Sequence, residues 1–344
     1  MMRPFLYQRA GNLADAVDAA SQGPSRVPPT MAAAQYLAGG TTILDLMKLD
    51  VMRPEVLVDI SRVDPAGMRI EPRGDALVLG AFMTMAQAAD HPEIKHNYPV
   101  IAQSLDLAAS PQLRNMATLG GNVLQRTRCS YFRDPSFGAC NKREPGSGCA
   151  ALDGVSRKHA VLGVSENCIA TYPGDFAQAL VALDAGVEIV GPGGARIIPF
   201  EALHREPGDT PHLETTLLPG EIIIGFRLPV APWTRRSLYL KIRDRQSYEF
   251  ALASAAVVLD LHSGPQGAVV NAARIALGGV ASKPWRAREA EAELNGSKLD
   301  RAAAQRAADA AFAGARPQGD NQYKRELGKR TLVRALLQAA QLSV

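Results

Sequence analysis

The sequence predicts an α+β protein of more than one domain, and three observations carry that expectation. At 344 residues the chain exceeds what one ordinary hydrophobic core organises, so two or three domains are expected. Helical and strand-like segments follow one another in mixed order, not as a repeating βαβ array. Hydrophobic content of 47% and charged content of 21% are ordinary for a globular chain. No apolar run approaches the roughly 18 residues of a membrane span. The net charge is only +4, bases alternate with acids, and no basic stripe with aromatics occurs, so nucleic-acid binding has little support. The start "MMRPFLYQRA" lacks an apolar segment with a small-residue cleavage site and is not read as a secretory signal. A cytoplasmic location is expected, unless a signal-bearing partner exports the folded chain.

Taken in order, "NLADAVDAASQ" (12–22) reads as a short capped helix. The stretch "PPTMAAAQYLAGGTTILDLMKLDVMRPEVLVDI" gives strand, glycine turn, helix and a second strand over 56–60. "GMRIEPRGDALVLGAFMTMAQAADH" predicts a hairpin turning at 73–75, then a helix capped by Thr84. "PVIAQSLDLAAS" is a further helix. An irregular stretch rich in Gly, Pro, Arg and Cys covers about 125–170. After it, "DFAQALVALDAGVEIVGPGGARIIPF" reads as helix and hairpin. Strands follow around a hairpin or loop at 262–267, and the chain from Trp285 onward is alanine-rich and helical with a break near "GARPQGDN". Natural boundaries fall near residues 60 and 227, giving segments 1–60, 61–226 and 227–344.

Two Gly-Gly turns stand out. In "LAGGTTILDLMK", Gly39 and Gly40 lie between a strand and a helix, where they reach backbone angles closed to other residues and let a ligand approach backbone N–H groups. Thr41 and Thr42 add hydroxyl donors, which suits a phosphate or diphosphate; a plain strand-to-helix turn is the competing reading. "QLRNMATLGGNVLQ" repeats the logic, with Gly120 and Gly121 between Thr118 and Asn122. Together the turns suggest a dinucleotide lying between two small domains. "GPGGAR" (191–196) is set aside as a hairpin turn, because strand and not helix follows it. No Walker A, His-Glu-x-x-His or Gly-x-Ser-x-Gly sequence occurs, and the six histidines are scattered and read as ordinary surface or core residues.

All four cysteines, Cys129, Cys140, Cys149 and Cys168, fall in one window. Disulfides suit a small secreted domain, which this chain does not resemble. Structural zinc usually pairs its thiols at C-x₂₋₄-C, and these gaps are far longer. A [4Fe–4S] cluster tolerates irregular spacing in a long loop. Arg126, Arg128, Arg133, Lys142 and Arg143 would offset its negative charge, and Pro145, Gly146 and Gly148 would let amides turn toward its sulfurs. Spacing alone leaves the three readings open, with the cluster ahead.

The blocks "AGGTTILDLMK", "QLRNMATLGGN", "LLPGEIII" and "ARIALGGVASKPWRAREAEAEL" resemble, in order and over nearly the whole chain, the flavin-binding subunit of the xanthine oxidase family of molybdenum hydroxylases. The cysteine window is similar to the middle subunit of bacterial periplasmic aldehyde oxidoreductases, where it carries an extra [4Fe–4S] cluster beside the flavin. The resemblance implies a two-subdomain FAD-binding fold of the vanillyl-alcohol-oxidase type, a C-terminal flavoprotein domain and an irregular iron–sulfur insertion. It implies that Leu37, Ala38, Gly39, Gly40, Thr41, Thr42, Ile43 and Leu44 hold the FAD diphosphate. Ala109 and Ser110 would lie along the flavin, and Thr118, Gly120, Gly121 and Asn122 would form the second turn. Asp175 would reach the adenosine portion or that turn, Ile222 would pack near the ring system, Lys241 would point toward the flavin, and Tyr248 would cover one ring face. Cys129, Cys140, Cys149 and Cys168 would ligate the cluster.

The implied activity is that of one subunit and not of a complete enzyme. No molybdopterin-binding sequence and no C-x₄-C-x₂-C pattern is present, so a molybdenum large subunit would oxidise the aldehyde and a [2Fe–2S] small subunit would pass electrons to this chain. FAD would hand them to an external acceptor. A free-standing FAD reductase or oxidase, and an assembly subunit with a purely structural cluster, are the alternatives.

Overall fold

The computed structural model describes residues 2–21, 28–64, 66–264 and 267–344. Three sheets organise it. The first is parallel: β1 (Leu6–Arg9), β2 (Ala34–Leu37) and β3 (Val56–Asp59) pair in the order β1-β3-β2. The helix Leu13–Ala20 starts where Asn12 Oδ1 accepts the Asp15 amide at 2.9 Å, a side-chain N-cap; Gln22 of the expected helix lies outside the described residues. The helix Ile43–Lys48 follows the first Gly-Gly turn and buries Ile43, Leu46 and Met47 against Leu57, Phe132 and Cys140. That core joins the first sheet to the cysteine-bearing segment.

The second sheet is antiparallel, with β4 (Ile70–Arg73), β5 (Ala76–Gly80), β6 (Gly186–Gly191), β7 (Gly194–Pro199) and β8 (Ile222–Pro229) in the order β4-β5-β8-β6-β7. Arg73 pairs with Ala76 and Gly191 with Gly194, so both expected hairpins close through two-residue turns. Thr84 and Gln87 form the reciprocal capping box of the helix Met85–Asp90. The helices Pro99–Asp106 and Phe176–Ala182 pack into this sheet's core with Phe200 and Phe226.

The third sheet contains β9 (Ser237–Ile242), β10 (Ala253–Gly264), β11 (Gly267–Gly278) and β12 (Trp285–Arg286) in the order β12-β11-β10-β9. The two long strands run further than the sequence suggested; residues 265 and 266 between them lie outside the described residues. The helices Arg288–Leu294, Arg301–Ala311 and Tyr323–Ala340 cover it, and buried Ala303, Ala304, Ala307, Ala308 and Ala311 form one helical face at i, i+4 spacing. Tyr239, Ala256 and Ala276 of this sheet belong to the second sheet's core, so the two sheets share apolar packing. No helix among the described residues is long and apolar enough to cross a membrane.

Between the helices Leu119–Val123 and Phe176–Ala182 the chain is mostly irregular. It has one short helix, Ser130–Arg133, and isolated bridges Cys140–Cys149 and Ser165–Cys168.

Candidate functional site

The two Gly-Gly turns meet. A Cβ on Gly39 would overlap the Met116 carbonyl, two residues before Thr118, so glycine is required there by close approach. Gly40 has φ of 74°, a left-handed angle that favours glycine. Alike in sequence, the turns differ in their amides. At the first, the N–H groups of Gly40, Thr41, Thr42 and Ile43 have no backbone acceptor among the described residues. At the second, Leu119 N donates to Met83 O (2.9 Å), Gly120 N to Ala81 O (2.8 Å) and Asn122 N to Thr118 O (2.8 Å). Gly121 N donates to Thr118 Oγ1 at 3.1 Å. The amides of Leu119–Asn122 are therefore satisfied in a helix cap with glycine at its contact with Ala81, whereas the first turn has four successive amides without a backbone acceptor among the described residues. The expectation of open amides at both turns is corrected here: Thr118 takes the hydrogen bond that the sequence suggested for a ligand.

Both turns line one cleft of about 580 Å³, the size range of cofactor sites. Ala38, Gly39, Gly40, Thr41, Thr42, Ile43, Thr118, Gly120, Gly121 and Ile222 are on its wall. Leu37 and Leu44 instead pack behind the turn. Asn122 is also outside the wall; its Nδ2 approaches Met85 Sδ at 3.3 Å, and its buried Oδ1 has no partner.

Asp175 and Lys241 form a second group, off the cleft wall, tied to Leu107 just before Ala109 and Ser110. Lys241 Nζ donates to Asp175 Oδ2 at 2.7 Å, with both side chains nearly fully buried, and to Leu107 O at 3.0 Å. Tyr239 Oη donates to Asp175 Oδ1 at 2.5 Å. Burial pushes the Asp175 carboxyl up, and Lys241 and Tyr239 oppose that rise. Asp175 is thus committed to Lys241 and Tyr239, and Lys241 and Arg243 hold the Leu107 carbonyl where the 107–110 loop begins. Ser110 Oγ caps the helix Pro111–Arg114. Four non-glycine residues among those described have left-handed backbone: Asp50, Asp184, Ala109 and Tyr248. Aspartate tolerates this region, whereas alanine and tyrosine do so at a cost, and such strain concentrates at functional sites. Tyr248 is 56% exposed.

The four cysteines, separated by up to 39 positions, line a second, small cavity of about 10 Å³, and none is in a disulfide. Among the described residues no three metal-ligating side chains form a ready metal cage, so a cluster would have to widen this cavity. Other features suit one. Burial pushes the Cys129 thiol up to about 12 and raises Cys149 and Cys168. Backbone amides oppose that rise: Phe132 and Tyr131 at Cys129, Ala151, Ile169 and Leu152 at Cys149, and Ala170 at Cys168, 3.4 Å from Sγ. Amides aimed at ligand sulfur are a common feature of iron–sulfur sites. Cys168, Lys142 and Ala170 line both cavities, so the cleft and the thiols share a wall.

The expected counter-charges are corrected. Arg133 binds Asp45 with both terminal nitrogens (2.8 and 3.0 Å) and Arg128 binds it at 3.0 Å. Arg126 and Lys142 bind Glu214 at 2.5 and 3.0 Å. Burial alone would raise the Glu214 carboxyl, but these two cations hold it below its ordinary value. Arg143 donates to the carbonyls of Tyr131 and Phe132. Nor does Gly148 supply a sulfur-directed amide: its N donates to Asn141 Oδ1 at 2.9 Å. These bases are therefore structural ties, Asp45 linking the cysteine segment to the helix after the first turn. Sequence reading missed Asp45, Glu214 and His159. His159 Nε2 lies 3.2 Å from Cys129 Sγ; burial and nearby Lys324 lower its pKa to about 4. No local pattern marks any of the three, because each partner is 30 or more positions away.

Residues 3–231 match the family described as FAD binding domain in molybdopterin dehydrogenase, and residues 238–339 match the CO dehydrogenase flavoprotein C-terminal domain. The chain is 44% identical to the aldehyde oxidoreductase FAD-binding subunit PaoB of Escherichia coli K12, over 98% of this chain and 99% of that one. It is 27% identical to the carbon monoxide dehydrogenase medium chain of Hydrogenophaga pseudoflava, over 88% of each. Among solved structures, reconstituted CO dehydrogenase from Oligotropha carboxidovorans superposes with a TM-score of 0.75 at 26% identity, covering 100% of both chains. The H. pseudoflava carbon monoxide dehydrogenase structure lacking the Mo-pyranopterin moiety gives 0.74 at 28% identity, covering 99% and 98%. The chain belongs to the FAD-binding medium subunits of the xanthine oxidase family of molybdenum hydroxylases.

Proposed function

We propose that this chain is the electron-transfer flavoprotein subunit of a molybdenum-containing aldehyde oxidoreductase. It would bind FAD in the cleft and a [4Fe–4S] cluster on Cys129, Cys140, Cys149 and Cys168. Its partners would be a molybdenum-cofactor large subunit and a [2Fe–2S] small subunit, and it would pass electrons from the latter to an external acceptor. The aldehyde assignment leans on the 44% identity to PaoB. The observation that carries the two-cofactor reading is the wall that Cys168, Lys142 and Ala170 contribute to both cavities.

FAD, when bound, supplies the exchange between one-electron and two-electron carriers. The chain's own residues do the rest. Amides at Gly40–Ile43 and the hydroxyls of Thr41 and Thr42 are suited to the diphosphate, whose oxygens need donors without bulk. Thr118 keeps the second turn rigid, and its glycines allow close passage. Lys241, held by Asp175, fixes the strained 107–110 loop that family resemblance puts beside the flavin. The apolar packing of Cys140 and Phe132 on Ile43, Leu46 and Met47 keeps the thiols and the first turn in fixed relation.

Co-expression with its two partner subunits tests this. A complex containing molybdenum, iron and FAD, whose flavin bleaches anaerobically on adding an aldehyde, is expected. A chain that purifies alone as an active flavoprotein, or folds without retaining FAD, would overturn the proposal.

A further inference from the structure

The break in the C-terminal helical region has a specific task. Residues 316–324 bind residues 156–161 of the cysteine segment at almost every position. Ser156 Oγ donates to Gln318 O (2.8 Å) and accepts from Asp320 N (2.9 Å). Tyr323 Oη donates to Arg157 O at 3.1 Å, and Lys324 Nζ to Lys158 O at 3.0 Å. Asn321 Nδ2 donates to Ala160 O at 3.0 Å, and Arg316 N to Val161 O at 2.7 Å.

Asn321 and Lys324 are fully buried. Lys324 has no carboxylate partner among the described residues; its other contact is the Gly279 carbonyl at 2.7 Å. An amine buried without an opposite charge is costly, so a loop needing only to be anchored gains little from it. What this set of bonds fixes is register. With 156, 157, 158, 160 and 161 all held, the backbone at 159, and with it the Cα–Cβ direction, is fixed. His159 is 5% exposed, and its Nε2 is 3.2 Å from Cys129 Sγ.

We propose that His159 is a positioning residue of the cysteine site, donating from Nε2–H to the Cys129 sulfur, and that the 316–324 segment is the clamp that holds it there. This rests on the cluster reading above. An outer hydrogen bond orients a metal ligand, and a donor to cluster sulfur favours the more negative, reduced state and so raises the reduction potential. The C-terminal domain thereby sets the potential of a centre whose ligands all lie in another part of the chain.

An EPR-monitored redox titration of the purified complex tests this, with iron, labile sulfide and FAD measured on each sample. His159→Leu keeps the volume and removes the donor; it should retain iron and shift the cluster couple to lower potential, leaving the flavin couple unmoved. His159→Gln keeps an N–H near the Nε2 position and should recover most of the shift. Tyr323→Phe combined with Lys324→Met, with His159 intact, should shift the couple the same way by less. A Leu variant with full iron and the parental potential overturns the proposal, as does a Gln variant shifted as far as Leu. If Leu loses its iron, retention in Gln supports the proposal and loss in both overturns it. A parent complex lacking iron and sulfide sinks the cluster reading and this inference with it; a loaded parent with an unmoved Leu variant sinks only this one.

Discussion

The cleft at the first Gly-Gly turn offers about 580 Å³, with the Gly39–Thr42 and Gly120–Gly121 segments on its wall. The cavity ringed by the cysteines, across the shared wall of Cys168, Lys142 and Ala170, offers about 10 Å³. The cleft has free amides at Gly40–Ile43 and admits a long anionic ligand as it stands. The cysteine site holds thiols, Cys140 and Cys168 buried and Cys129 and Cys149 partly so, and burial disfavours the charged form of Cys129, Cys149 and Cys168; on the proposed reading a cluster would have to both deprotonate and separate them. On that reading the difference teaches that FAD meets a preformed receptor, while a cluster would have to complete its own site. FAD should therefore exchange from the folded chain, and cluster assembly should require loosening of residues 129–168.

Removing the acid that holds Lys142 of the shared wall should damage both. Glu214→Ala leaves Arg126 and Lys142 without their acid, and breaking a largely buried ion pair costs about 3–5 kcal/mol. Because Glu214 is a quarter exposed, about 3 kcal/mol is expected by chemical denaturation, with lower retention of both FAD and iron. Unchanged stability would mean that the wall is not held by these charges.

Gly39→Ala sharpens the contrast from the cleft side. The added methyl collides with backbone at Met116, and overpacking of this kind costs about 1–3 kcal/mol. FAD content should fall at least tenfold by absorbance while iron is retained; equal loss of both would erase the distinction between the sites.

Thr118→Ala removes a helix cap and should cost about 1 kcal/mol of stability, with FAD affinity little changed, since Gly121 N is the group it binds. Thr41→Val should do the reverse, weakening FAD by titration calorimetry and leaving stability within about 0.5 kcal/mol. If the two swap behaviours, the assignment of cap and receptor is wrong. The smallest effect is expected at Asp45→Asn, which loosens Arg128 and Arg133 at a partly exposed site, worth about 0.5–1 kcal/mol and visible as faster amide exchange across 128–134.

Much of this was legible in the sequence because it is local. The capping box at Thr84 and Gln87, the two-residue hairpin turns and the alanine-faced helices all follow from neighbouring residues. The glycine turns were legible as positions but not as chemistry, because the partner of each amide lies elsewhere: Gly120 N reaches Ala81 and Leu119 N reaches Met83. The strand β1 escaped because all four of its residues are exposed, so no alternation marks it. The basic residues of the cysteine segment were visible, yet their acids, Asp45 and Glu214, come from 72 to 88 positions away. The 316–324 clamp read only as a break between helices, since its purpose is set by residues some 160 positions earlier.

The most direct test of the two-site account is iron, labile sulfide and FAD content per purified chain, with EPR of the dithionite-reduced protein. About four irons, four sulfides and one FAD per chain are expected, with a cluster signal that Cys149→Ser abolishes while its FAD remains. A folded, FAD-loaded parent without iron or sulfide, or a signal that persists unchanged in Cys149→Ser, would contradict it.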